Sequence, residues 1–135
     1  MNKTKLTIST PNGIFYEGEV DIVTLKTSEG YIGLQYNRLP FISSIEISPM
    51  YITVNSNERK IAAIGGGIVF VEKTYIDIFT DDIQWKEELE KSEIQRLIDD
   101  AHKKLEDEKI DKVARHKNEL VLKRAMNKLV VLDGK

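Results

Sequence analysis

Apolar and polar side chains alternate through the first part of the chain, which is the period of a β-strand. Segment 3–10 (KTKLTIST) puts Leu6 and Ile8 on one face of a half-buried strand. Pro11-Asn12-Gly13 then reads as a turn, because Asn and Gly reach positive φ at little cost. A second strand is predicted over 14–26 around Val20, Ile22 and Leu25, with Gly18 as a bulge or bend inside it. Thr27-Ser28-Glu29-Gly30 turns the chain again, and strands follow at 31–34, 40–46, 50–55, 60–64, 67–72 and 75–80. Gly65-Gly66-Gly67 is expected to be a tight turn between two of them. Closely spaced short strands with polar turns predict an antiparallel β-sandwich or barrel.

The period changes after Asp81-Asp82. From Gln84 to Leu132 there is no proline and no glycine, and helix formers dominate. Ile94, Leu97, Ile98, Ala101 and Leu105 recur at helical spacing and form one stripe. Trp85 and Leu89 lie off that stripe and are expected to anchor the start of the helix on the β-domain. The polar run Glu106–Lys109 breaks the period, and Asp111 is placed to cap a second helix holding Val113, Ala114, Leu120, Val121, Ala125 and Leu129. The expected architecture is an N-terminal antiparallel β-sandwich over 1–84, followed by a two-helix hairpin over 85–135.

Charge sharpens this division. The net charge is −2, but 1–84 carries 7 basic against 10 acidic residues, 85–108 carries 5 against 9, and 109–135 carries 8 against 3. An acidic body thus ends in a basic helix, a pattern that suits an acidic partner. With 135 residues the chain can bury a core unaided, and without cysteine it has neither disulfides nor thiolate chemistry. It has no apolar run long enough to cross a bilayer, and its first ten residues lack a signal-type apolar region, so a cytosolic protein is expected.

Candidate catalytic chemistry is sparse. His102 and His116 fall on charged helical faces, outside any metal-binding spacing. No serine sits in a G-x-S-x-G elbow, and the glycine triplet lacks the Lys-Ser/Thr of a phosphate loop and opens into a strand. The aromatic residues are not interleaved with a basic stripe, so nucleic acid is not an expected partner.

On a helical wheel of the second helix, Lys117, Arg124 and Lys128 fall within the apolar arc of Val113, Leu120 and Val121. Long cationic stems can cover a neighbouring helix while their heads reach water. Alternatively, this face has a second partner, an acidic groove or an anionic ligand, met when the hairpin rearranges.

Three stretches together carry a family resemblance: TPNGIFYEGEVDIVTLKTSEGYIGLQYNRLPF (10–41), GGGIVFVEKTYIDIFTDD (65–82) and ELVLKRAMNKLVVL (119–132). In order and spacing they resemble the epsilon subunit of bacterial F-type ATP synthases, across essentially the whole chain. The resemblance implies a non-catalytic rotor subunit of the central stalk, requiring no cofactor of its own. Its implied partners are the gamma subunit, the c-subunit ring and the catalytic beta (and alpha) subunits, with a peripheral position on the cytoplasmic face of the cell membrane. It further implies coupling of proton flow to ATP synthesis, and a hairpin that extends to inhibit ATP hydrolysis. Arg115, Lys117, Lys123, Arg124 and Lys128 are the implied inhibitory cations.

Some members of that family bind ATP in the folded hairpin, through an Ile/Leu-Asp-x-x-Arg-Ala motif and arginines of the second helix. The corresponding residues are Glu93, Arg96, Arg124 and Lys128, with the apolar and alanine positions of the motif changed and lysine in place of one arginine. Lysine keeps the charge but loses the bidentate fork. ATP as a regulatory ligand is therefore an expectation beside a plain i,i+3 ion pair of Glu93 and Arg96. A free-standing nucleotide-sensing hairpin is the alternative function. In the loop implied to meet the c-ring, Tyr31 stands where the family commonly has an acid, and Tyr36-Asn37-Arg38 stands for Pro-Gly-His. Arg38 is then the residue expected to pair with a c-subunit acid.

Overall fold

The computed structural model describes residues 2–134. Strands β1 (Thr4–Thr10), β2 (Gly13–Val20), β3 (Ile22–Thr27), β4 (Gly30–Leu34), β5 (Phe41–Asn55), β6 (Glu58–Val71), β7 (Tyr75–Phe79) and β8 (Ile83–Trp85) precede helices α1 (Lys91–Leu105) and α2 (Lys112–Asp133). The strand order is β2-β1-β7-β6-β5-β3-β4, with β8 pairing β6. All pairings are antiparallel except β1 with β7.

Two long strands make the sandwich. β5 and β6 pair along nearly their whole length, and each serves both layers. The Ile68–Val71 half of β6 pairs with β7, while its Ala62–Ile64 half pairs with β8. Likewise Tyr51–Thr53 of β5 pairs with β3. The crossing falls at Gly65-Gly66-Gly67, which lies inside β6 and is not the strand-to-strand turn the sequence predicts. Pro49 lies inside β5 opposite Ala63, so the strands predicted at 40–46 and 50–55 are one. Gly66 takes φ +94, and a Cβ at Gly67 would collide with the carbonyl oxygen of Phe79. Glycine is used here for a bend and a close approach, not for a turn.

The strand predicted over 14–26 is divided at Asp21, whose side chain takes the ammonium of Lys3 at 2.9 Å. The bulge predicted at Gly18 falls instead at Phe15 of the same strand, the extra residue opposite the step from Ile8 to Ser9 in β1.

Leu6, Ile8, Val20, Val23, Leu25, Leu34, Met50, Ile52, Ile64, Val69, Ile76 and Ile78 fill the sandwich core. Trp85 ends β8, and its ring packs on Phe15 at 4.6 Å and edge-on to Tyr16 at 5.8 Å. A second core joins hairpin to sandwich: Leu89, Ile94, Ala125 and Val131 close over Ala63, with Ile61, Leu97, Ile98 and Leu129 around them.

Helix α2 begins where the sequence places it. The Asp111 carboxylate accepts the Ala114 N–H at 2.7 Å, which satisfies an otherwise unpaired first-turn donor. Asp111→Ala is expected to cost about 1 kcal/mol of stability, read as a lowered midpoint in thermal unfolding followed by circular dichroism.

Candidate functional site

One outer face of the sandwich carries a cluster of apolar side chains, broken by Asp77 opposite Phe70, where an exposed sheet face is usually polar. Along β6, Val69 and Val71 point into the core, so Ile68 and Phe70 point out. Along β7, Ile76 and Ile78 point in, so Tyr75 and Phe79 point out. The register sets Ile68 beside Phe79 and Ile42 beside Phe70, and the Phe70 and Phe79 rings meet edge-to-face at 5.6 Å. Ile42, Ile68 and Phe79 are 67%, 46% and 49% exposed. The patch runs into an open groove of about 590 Å³ walled by Pro11, the glycine triplet, Phe79, Thr80, Asp81 and Arg124. Exposed apolar side chains gathered in this way make the face a candidate docking surface.

At the far end of that groove the hairpin meets the sandwich. The Arg124 guanidinium bonds Asp81 Oδ1 at 2.8 Å and donates from Nε to the Gly65 carbonyl at 3.1 Å. Its Nε also lies 3.9 Å from Asp82 Oδ2, and Lys128 Nζ lies 3.6 Å from Asp82 Oδ1. The Asn127 side-chain amide donates a hydrogen bond from Nδ2 to the Ile64 carbonyl at 3.3 Å. The acids belong to the corner between β7 and β8, which backbone and hydroxyl bonds hold. Gly65 N–H donates to the Asp82 carbonyl at 2.7 Å, and the buried Thr80 hydroxyl donates to the Gly66 carbonyl at 2.6 Å.

The cations predicted from the wheel therefore separate. Arg124 and Lys128 lie on the sandwich side of α2 and are mostly covered, at 24% and 17% side-chain exposure. Lys117 does not share that setting. It is exposed, as are Arg115, Lys123 and Val113.

Glu93 and Arg96 form an exposed i,i+3 pair at 3.8 Å, and Arg96 also reaches Asp100 at 3.7 Å. Glu93 and Lys128 line one cavity of about 80 Å³ with Gln84, Glu90, Ile94 and Leu97. Small-molecule pockets usually enclose roughly 300 Å³ or more. Arg96→Ala is expected to change stability by less than about 0.5 kcal/mol, checked by urea unfolding.

In the loop after β4, the Arg38 guanidinium donates to the Gly33 carbonyl at 3.0 Å, and Leu39 beside it is 86% exposed. Tyr31 donates its hydroxyl to the Pro49 carbonyl at 3.1 Å, and burial followed by the neighbouring Tyr51 raises its pKa above the usual phenol value. His102 and His116 are both exposed. Among the described residues no group of three or more His, Asp or Glu side chains is placed to hold a metal ion. Nor is any helix among them long and apolar enough to cross a membrane.

The molecule is thus a β-sandwich with an apolar cluster on its outer face and a C-terminal helical hairpin packed beside it. The family model described as ATP synthase, Delta/Epsilon chain, beta-sandwich domain matches residues 3–86. The chain is 40% identical over 134 residues to the ATP synthase epsilon chain of Mycoplasma mobile, covering 98% of this chain and 95% of that one. It is 34% identical to the epsilon chain of Ruminococcus albus over 97% of both. A chain in the structure of Euglena gracilis mitochondrial ATP synthase (OSCP/F1/c-ring) shares the fold with a TM-score of 0.81 at 18% identity, over 98% of this chain and 82% of that one. The chain belongs to the ATP synthase epsilon chain family, whose members are subunits of that complex other than its catalytic chains.

The outer apolar face is what the sequence reading missed. Its signal was present in IVFV (68–71) and YIDIF (75–79), where apolar residues fall at both parities and Asp77 is the one polar residue among the outward set.

Proposed function

We propose that this protein is a rotor subunit of the ATP synthase central stalk, coupling proton translocation to ATP synthesis and restraining ATP hydrolysis through its hairpin. The apolar face of Ile42, Ile68, Phe70 and Phe79 carries the reading, because neighbouring exposed apolar side chains on one sheet face gain most where another chain covers them. The gamma subunit is the partner for that face. The loop bearing Arg38 and Leu39, at the end of β4, meets the c-subunit ring, which holds the protein peripherally at the cytoplasmic side of the membrane. Family membership and the two-part fold support this assignment.

The hairpin supplies the brake. Arg115, Lys117 and Lys123 are exposed on α2, and Arg124 and Lys128 join them once the helix leaves the sandwich. Together they suit an acidic surface of the catalytic beta and alpha subunits. ATP would act as a regulatory ligand at Glu93, Arg96, Arg124 and Lys128 only after the 80 Å³ cavity widens. Calorimetry on the isolated chain tests this, with heat at millimolar ATP as support and silence as its end.

Mixing the chain with its gamma subunit tests the rotor assignment. A stable one-to-one complex in size-exclusion chromatography is the expected result, and two separate peaks at micromolar concentration would overturn it.

A further inference from the structure

The acidic corner at Asp81-Asp82 meets the basic helix at the two positions where α2 turns cations toward the sandwich. We propose that Asp81 and Asp82 are an internal latch, competing within the chain for cations that the hairpin otherwise presents to an acidic partner surface. The partner half of this proposal rests on the inhibitory reading of the hairpin; the latch itself does not.

Three observations carry it. First, the contact is a network: Arg124 reaches Asp81, Asp82 and the Gly65 carbonyl together, and Lys128 shares Asp82. Networked, partly covered charges hold better than isolated surface pairs. Second, the corner is built to receive them. A Cβ at Gly65 would lie 2.8 Å from Arg124 Nε and would also strike the Asp82 carboxylate, so glycine there clears the path of the guanidinium. Thr80 and the Gly65 N–H fix the backbone on which both acids sit. Third, the charged contacts stand at the edge of an apolar seam. Ala125 and Val131 of α2, with Leu129 and Leu132 beside them, close over Ala63 and Ile61, and Asn127 adds one hydrogen bond to the Ile64 carbonyl. Arg124 and Lys128 are the α2 side chains that tie this seam to the acidic corner.

The consequence is a competition. In the docked hairpin Arg124 spends N–H donors on Asp81 and Gly65 and its side chain is only 24% exposed, so an outside acidic surface gains full access to it only when α2 leaves the sandwich. Of the five cations assigned to the partner surface, the docked hairpin leaves Arg115, Lys117 and Lys123 exposed, and opening adds Arg124 and Lys128 to that set. Weakening the latch therefore raises the affinity of the hairpin for an acidic surface, whereas removing Arg124 or Lys128 lowers latch and affinity together.

The chain holds no cysteine, so a labelled pair is introduced cleanly at the exposed positions Asn57→Cys and His116→Cys. Energy transfer between the two labels in the full chain, followed through a mild urea titration, gives the docking constant. Asp81→Asn with Asp82→Asn is expected to lower that constant about 5- to 10-fold and to flatten its dependence on salt. The swap of Asp82→Lys with Lys128→Asp is expected to recover part of the loss suffered by either single reversal. A docking constant and salt response equal to those of the unaltered chain would overturn the latch, as would a swap no better than the single changes. If the double Asn variant does not fold, Lys128→Gln probes the same contact from the helix side: a lowered constant supports the latch and an unchanged one overturns it. Hydrolysis by the assembled complex decides the inhibitory reading separately. A variant whose hairpin opens while hydrolysis stays unchanged supports the latch and overturns only the inhibitory role.

Discussion

Placing Glu at both Ile68 and Phe79 is expected to abolish binding of the gamma subunit while the chain remains folded. The two side chains stand side by side on neighbouring strands and point away from the core, so solvent accepts the new carboxylates in the free protein. In a complex the same carboxylates would be desolvated with no cation beside them: Arg124, at the far end of the groove, is already paired with Asp81. An unpaired buried charge costs several kcal/mol, about 100-fold or more in affinity. Calorimetric titration reads the loss, and a melting temperature near that of the unaltered chain shows that the fold survives. Binding within a few-fold of the original value would move the gamma contact to another face.

Gly65→Val is expected to have the largest effect on the union of hairpin and sandwich. Its Cβ would lie 2.8 Å from both Asp82 Cβ and Arg124 Nε, and the Gly65 N–H is committed to the Asp82 carbonyl, so the strand has no room to retreat. Either the acidic corner or α2 must move, at a cost of roughly 2–4 kcal/mol. Gly33→Ala is the matched control, since its Cβ would meet only Ile22 Cγ2 at 3.6 Å, an ordinary contact. Thermal unfolding of the two variants separates them. Equal midpoints would mean that the close approach at Gly65 carries no structural weight.

Much of the fold was legible because its physics is local. Alternation marked most strands, the loss of glycine and proline marked the helices, and Asp111 marked the start of α2 by its capping chemistry. What was not legible required knowledge of where chain-distant backbones cross. Gly65–Gly67 looks like a turn by composition, yet it is the bend at which a 14-residue strand passes from one layer to the other. Pro49 likewise looks like a strand end, but it lies within β5 opposite Ala63. The cationic arc of α2 was visible as a pattern, although the wheel could not show that Arg124 and Lys128 reach Asp81 and Asp82 while Lys117 stays exposed. The partner sought for that face lies in part within the same chain. For Ile68, Phe70 and Phe79 the parity of the sequence held the answer, since apolar residues at both parities leave one set outside a core already filled by Val69, Val71, Ile76 and Ile78.

The braking role of the hairpin rests on the outward cations of α2. Arg115→Glu, Lys117→Glu and Lys123→Glu change only exposed side chains, outside the latch and both cores, so the docked hairpin and the sandwich stay as they are. ATP hydrolysis by the complex reassembled with this triple variant is the measurement that reaches that role most directly. A rate several-fold above that of the complex holding the unaltered chain is the expected result. Identical rates from two complexes with equal amounts of bound subunit would contradict it.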